Sequence, residues 1–170
     1  MKIAVITGAS SGMGRDFAIK IDKEYNLDEI WLIARREERL KELGKELKTK
    51  ARILSYDLSS PSSIEEYKAL LNETKPEVEI LVNAAGFGVF GAFEKSGEKQ
   101  SDIVVLNDKA LVDITYTTLP YLKSGSSIVN LGSNSSWQPV PYIAVYGASK
   151  AFVLSFSRAL SMELKPRGIR

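Results

Sequence analysis

The chain has 170 residues, 44% hydrophobic and 26% charged, with 23 Lys and Arg against 21 Asp and Glu. This suits one soluble folded unit with a sizeable core, argues against disorder, and gives no basic surplus to suggest nucleic acid or an anionic membrane as partner. The absence of Cys and His removes disulfides, thiolate nucleophiles, His-based triads and the commonest metal ligands, leaving acid–base chemistry near neutral pH to Tyr, Lys, Asp or Glu.

Met1-Lys2 leads into an apolar run, Ile3 to Ile6, too short for a signal-peptide core or a membrane span. It predicts a buried strand, and a cytoplasmic location is expected. Phe17, Ile21 and Tyr25 follow at helical spacing. Ile30 to Ile33 predicts a second strand, and Leu40, Leu43 and Leu47 a charged surface helix. Arg52 to Ser55 is a weaker third strand. Ser60-Pro61 has the form of an N-cap with Pro at the first helical position, continued by Ile64, Tyr67 and Leu71. Val78 to Val82 predicts a fourth strand, 100–122 one long apolar helix, Ser127 to Leu131 a fifth strand and Tyr146 to Leu164 a last helix. Strand and helix alternate five times. The expected architecture is α/β: a doubly wound parallel sheet of Rossmann type, with helices on both faces, in a single dinucleotide-binding domain over 1–170.

The connection from the first strand to the first helix reads TGASSGMG, residues 7–14. Its glycines, Gly8, Gly12 and Gly14, allow a tight turn and let backbone approach a pyrophosphate seated on the helix N-terminus. Thr7, Ser10, Ser11 and Met13 complete the loop. The second strand ends in Arg35-Arg36, where an acid would hold both ribose hydroxyls and where Arg suits a 2′-phosphate. Arg15 and Arg35 are read as the 2′-phosphate site; the plainer alternative is a solvated pair at a helix start.

TGASSGMG resembles the TGxxxGxG signature of the short-chain dehydrogenase/reductase family, and the likeness runs along essentially the whole chain. It implies a cofactor, NADP(H), held by the loop residues together with Asp57 and Leu58 after the third strand and Asn83, Ala84, Ala85 and Gly86 after the fourth. In that last segment Ala84 replaces the family's usual second Asn.

Tyr146 and Lys150 stand four apart on the predicted last helix, hence on one face. An ammonium beside a phenol favours the phenolate, which makes such a pair a proton donor and acceptor without His. Ser133 lies thirteen residues before Tyr146, and Asn107 lies in the long helix; their plainer roles are a strand-end cap and a surface polar residue. The resemblance implies that all four are catalytic. Tyr146 exchanges the proton, Ser133 holds the substrate oxygen, Lys150 binds the nicotinamide ribose and favours the Tyr146 phenolate, and Asn107 completes a relay through water. Tyr146 and Lys150 thus count among the cofactor contacts too.

The implied reaction transfers hydride between nicotinamide and a carbonyl or secondary alcohol. The alternative is an idle NADP(H)-binding module or fragment. The expected partners are a small carbonyl or alcohol substrate, with Trp137, Pro139 and Pro141 along one wall, and further copies of the chain as a homodimer or homotetramer. The chain ends at Arg170, where the resemblance places a sixth strand and a lid. A truncated form, a natural fragment and a partial sequence all remain open, and the fifth strand is expected to form an exposed sheet edge.

Overall fold

The computed structural model describes residues 1–97 and 99–170. Its centre is a parallel five-stranded sheet in the order β3-β2-β1-β4-β5. The strands are β1 Lys2–Thr7, β2 Glu29–Ile33, β3 Lys50–Leu54, β4 Glu77–Asn83 and β5 Leu122–Asn130. The helices are α1 Gly12–Glu24, α2 Glu37–Glu46, α3 Pro61–Thr74, α4 Lys99–Val104, α5 Ala110–Thr118 and α6 Ala144–Leu164.

Continuous apolar strands need a cover on both faces, and alternate side chains supply two cores. Ile3 and Val5 face a cluster with Trp31, Tyr67 and Ile114, whereas Ala4 and Ile6 face one with Ala18, Ile21, Leu40 and Leu43. Each fully buried Ile or Leu contributes about 1.5–3 kcal/mol by leaving water. The chain steps outward from β1 to β3, then returns to β4 beside β1. Thr7 and Asn83 end those two neighbouring strands opposite each other, so a crevice opens at the switch point.

Glu29 is the polar exception in buried β2, at 4% exposed. Its carboxylate accepts from Lys50 Nζ at 2.7 Å, Arg52 Nε at 2.8 Å and Trp31 Nε1 at 3.0 Å. Arg52 also lies over the Trp31 ring, 5.5 Å from its centroid.

Three sequence expectations are modified. The long helix is interrupted by a π-helical turn, Val105–Lys109, between α4 and α5, and it ends in a 3₁₀ turn, Leu119–Tyr121, before β5. β5 starts at Leu122 because the polar stretch 123–126 forms an irregular first half. In it Gly125 has φ +94, and Ser126 Oγ donates to Val78 O at 2.7 Å. The β5 edge is half covered: Gly125 N donates to Gly168 O at 2.8 Å, Arg170 N to Ser126 O at 3.0 Å and Ile128 N to Arg170 O at 2.7 Å. The last residues therefore run along β5 as a short parallel segment. Among the described residues, no helix is long and apolar enough to cross a membrane.

Candidate active site

At two of its three glycines the loop leaves no room for a side chain. Gly8 has φ +67, and a Cβ there would lie 2.6 Å from Ala84 O. A Cβ on Gly14 would strike Gly8 O, whereas one on Gly12 would project into open space. Helix α1 begins at Gly12 with no side-chain bond from its N-cap Ser11 and no acid in its first turn. Its leading N–H groups and positive dipole end are thus uncompensated, which suits an anion.

A cavity of about 310 Å³ runs in front of this helix end. It is lined by Gly8, Ser10, Ser11, Gly12, Met13 and Gly14, by Arg35 and Arg36, by Asp57 and Leu58, and by Ala84, Ala85 and Gly86, with Leu131 at one side. Residues far apart in sequence are thus brought to one surface. Thr7 and Asn83 act from behind it. Thr7 Oγ1 accepts from Ala84 N at 3.0 Å and Ala85 N at 3.1 Å. Asn83 Nδ2 donates to Thr115 Oγ1 at 2.9 Å and Asn130 Oδ1 at 2.8 Å. Asp57 Oδ1 accepts from Ser59 N at 3.0 Å and so caps its own turn.

The two arginines of the expected phosphate site part company. Arg35 lines the cavity, but Arg15 is held by Glu46, with both carboxylate oxygens at 2.7 Å. Arg36 reaches the loop: its guanidinium donates to Ser10 Oγ at 3.1 Å and Ser11 Oγ at 2.8 Å.

At the end of the cavity a Cβ on Gly86 would lie 2.8 Å from Asn107 Oδ1 and 3.8 Å from Lys150 Nζ. Lys150 is 7% exposed, and its Nζ donates to Leu131 O at 2.7 Å and lies 5.8 Å from the Tyr146 ring centroid. Burial pulls the Lys150 pKa down, with Asp108 opposing. Asn107, at the centre of the π turn, binds Phe87 by both backbone groups: Phe87 N donates to Oδ1 and Nδ2 donates to Phe87 O, each at 3.0 Å. Asn107 Nδ2 also donates to Ser149 Oγ at 3.1 Å, and that hydroxyl donates to Tyr146 O at 2.8 Å. Asn107 is therefore joined through Ser149 to the Tyr146 backbone, while Lys150 is held separately by Leu131 O beside the Tyr146 ring.

Ser133 heads the 3₁₀ turn Asn134–Ser136. Its Oγ accepts from Ser135 N at 3.2 Å, and Ser136 Oγ accepts from Ser133 N at 3.3 Å. This capping box fixes the turn beside α6, where a Cβ on Gly147 would come 3.7 Å from Ser135 O. Trp137, Pro139 and Pro141 line a separate apolar hollow with Gly147 and Ala148.

Sequence reasoning passed over Arg36, Ser149, Gly88 and Asp108. The Arg-Arg pair was a signal for the first. Asp108 carried no signal, because its burial at 8% exposed follows from the π turn.

The sequence model of the family described as short chain dehydrogenase matches residues 2–170. An uncharacterized oxidoreductase of Staphylococcus epidermidis is 34% identical over 99% of this chain and 74% of its own length. A very-long-chain 3-oxoacyl-CoA reductase of Kluyveromyces lactis is 36% identical over 98% of this chain, which spans about half, 51%, of that protein. Among solved structures, a short-chain dehydrogenase from Sphingobium yanoikuyae in complex with NADPH superposes with TM-score 0.86 at 31% identity, over 99% of this chain and 68% of that one. The fold, the glycine loop and these matches agree: the chain belongs to the short-chain dehydrogenase family.

Proposed function

We propose that the chain binds NADP(H) in the cavity at the ends of β1, β2 and β4. It would serve as an oxidoreductase that interconverts a carbonyl and a secondary alcohol. The observation that carries this reading is the single cavity joining the uncapped α1 N-terminus to Arg35, Arg36 and the Ala84–Gly86 segment. The loop N–H groups would hold a pyrophosphate. Arg36, with Arg35 beside it, would take a 2′-phosphate, a role Arg15 cannot easily share while paired with Glu46. When bound, the nicotinamide supplies or accepts the hydride.

The chain's own residues supply position and proton transfer. Tyr146 gives a proton to the substrate oxygen or takes it back. Ser133 Oγ accepts from Ser135 N and Ser135 Oγ, which leaves its own O–H to donate to that oxygen. Lys150 presents its ammonium to the Tyr146 face and the ribose. Asn107 anchors the Phe87 backbone, so that the floor of the site does not shift. Exposed apolar residues on α4, α5 and α6, among them Val104, Tyr116 and Met162, support association with further copies.

A second reading is a cofactor-binding unit without turnover. Titration with NADPH and NADH, followed by heat, tests cofactor binding. Tight NADPH and weak NADH binding supports it, and binding of neither overturns it. A panel of carbonyl substrates with NADPH then separates the two readings by the presence or absence of reduction.

A further inference from the structure

Two carboxyl side chains are deeply buried among the described residues, and their surroundings differ. Glu29 receives hydrogen bonds from three side chains, Trp31, Lys50 and Arg52. Asp108, 8% exposed, has an oxygen, Oδ1, that is fully buried and has no hydrogen-bond partner. Such an oxygen is costly, so the position calls for a role beyond filling space.

The π turn places it there. On a regular helix consecutive residues point about 100° apart, and only one of a pair faces inward. The widened turn Val105–Lys109 brings in both Asn107, 1% exposed, and Asp108. Asn107 is occupied by Phe87 and Ser149. A Cβ on Gly86 would meet both Asn107 Oδ1, at 2.8 Å, and Lys150 Nζ, at 3.8 Å, so the π turn that carries Asp108 stands beside Lys150, whose Nζ donates, among the described residues, to Leu131 O alone. Burial disfavours the Lys150 charge, and Asp108 is the group that favours it.

We propose that Asp108 is a positioning residue that acts through Lys150: its carboxylate keeps the buried amine protonated, so that the ammonium stays on the Leu131 carbonyl and beside the Tyr146 ring. This rests on the reading of Tyr146 and Lys150 as the acid–base pair.

The other charged groups around the π turn do not compete. Lys109 is paired with Asp113 at 2.5 Å, and Lys99 and Asp102 are exposed on α4. On α6, Tyr146 faces Lys150, Arg158 lies over Trp137, and Glu163 is exposed near the far end of the helix. Burial pushes the Asp108 carboxyl up to about 6, with Lys150 opposing. The support for Lys150 is therefore in place above about pH 6 and is lost as the carboxyl protonates below it.

The test is a pH titration of the whole chain by heteronuclear NMR, following the Lys150 ε-carbon and the Asp108 carboxyl carbon. The Lys150 signal is assigned by its loss in Lys150→Met. In the wild-type chain the Lys150 signal is expected to inflect where Asp108 titrates. In Asp108→Asn its upper midpoint is expected to fall by about one pH unit, a tenfold loss of proton affinity. An unchanged midpoint in the folded variant overturns the proposal. If Asp108→Asn does not fold, the wild-type titration decides, and a Lys150 signal without that inflection overturns it. Neither readout needs turnover. Coupling in a chain that binds NADPH but reduces no carbonyl would overturn the catalytic role and leave the coupling standing. Reduction without coupling would leave the catalytic reading standing and sink the role of Asp108.

Discussion

Gly88 lies directly against the ring of Tyr146: a Cβ at position 88 would come 2.8 Å from Cδ2 and 3.0 Å from Cγ. The ring is seated on bare backbone, so the phenol's position depends on that glycine. Gly88→Ala is expected to push the ring aside and lower kcat about 100-fold, because a displacement near 1 Å is enough for such a loss. NADPH affinity is expected to hold within a few-fold. Steady-state kinetics on a reduced carbonyl, with calorimetry for the cofactor, measures both; an unchanged kcat would remove Tyr146 from the chemistry.

The proposed 2′-phosphate site sets Arg36 against Arg15. Arg36→Ala is expected to weaken NADPH binding by about 1.5–3 kcal/mol, the worth of hydrogen bonds to a charged group, with NADH almost unaffected. Arg15→Ala removes an ion pair that is 38% and 48% exposed at its two ends and should change either affinity little. Side-by-side calorimetric titrations decide; a larger loss of NADPH binding for Arg15→Ala would move the phosphate site.

Acid stability should carry the signature of Glu29. Burial works to raise its pKa, but hydrogen bonds from Arg52, Lys50 and Trp31 outweigh it and bring the value from 4.5 down to about 2. A carboxyl lowered by folding stabilises above its unfolded value. That stability is lost as pH falls from about 4.5 through about 2. At roughly 1.4 kcal/mol per pH unit the contribution at neutral pH is about 3 kcal/mol. Glu29→Gln is expected to be less stable by a comparable amount at pH 7 and to show a flatter decline toward acid. Urea unfolding at a series of pH values measures it, and parallel curves for the two proteins would refute it.

Tyr67 is buried at 0% exposure, and its hydroxyl lies 2.7 Å from Thr118 Oγ1. Because Thr118 donates to Ile114 O, the tyrosine is the donor of the pair. Tyr67→Phe is expected to cost about 1–2 kcal/mol by leaving the threonine oxygen one donor short. Thermal unfolding of the variant tests this, and no loss of stability would show that the bond contributes nothing net.

Strands β1, β2 and β4 were legible because their apolar runs are local and unbroken. The glycine loop and the Tyr146–Lys150 spacing were legible because each is a short pattern with a direct physical reading. The π turn was not: residues 100–122 have the apolar content of one helix, and a single extra residue in the spiral leaves no mark on periodicity. Its consequence, Asp108 facing inward beside Asn107, was hidden with it. The choice between Arg15 and Arg36 was also out of reach. It depends on Glu46, thirty-one residues along, meeting Arg15 across two helices. The half-covered β5 edge was missed because a segment as short as Gly168–Arg170 has no alternation to read.

Thr7 touches none of the cavity, yet its hydroxyl ties the end of β1 to the two amides that begin the Ala84–Gly86 segment. The two banks of the crevice are thereby one mechanical piece. A fluctuation that opened the glycine loop would have to carry Ala84 and Ala85 with it, so their amides should exchange with solvent at the pace of β1 and not at that of a loop. The crevice is thus braced from inside the sheet where β1 and β4 meet it.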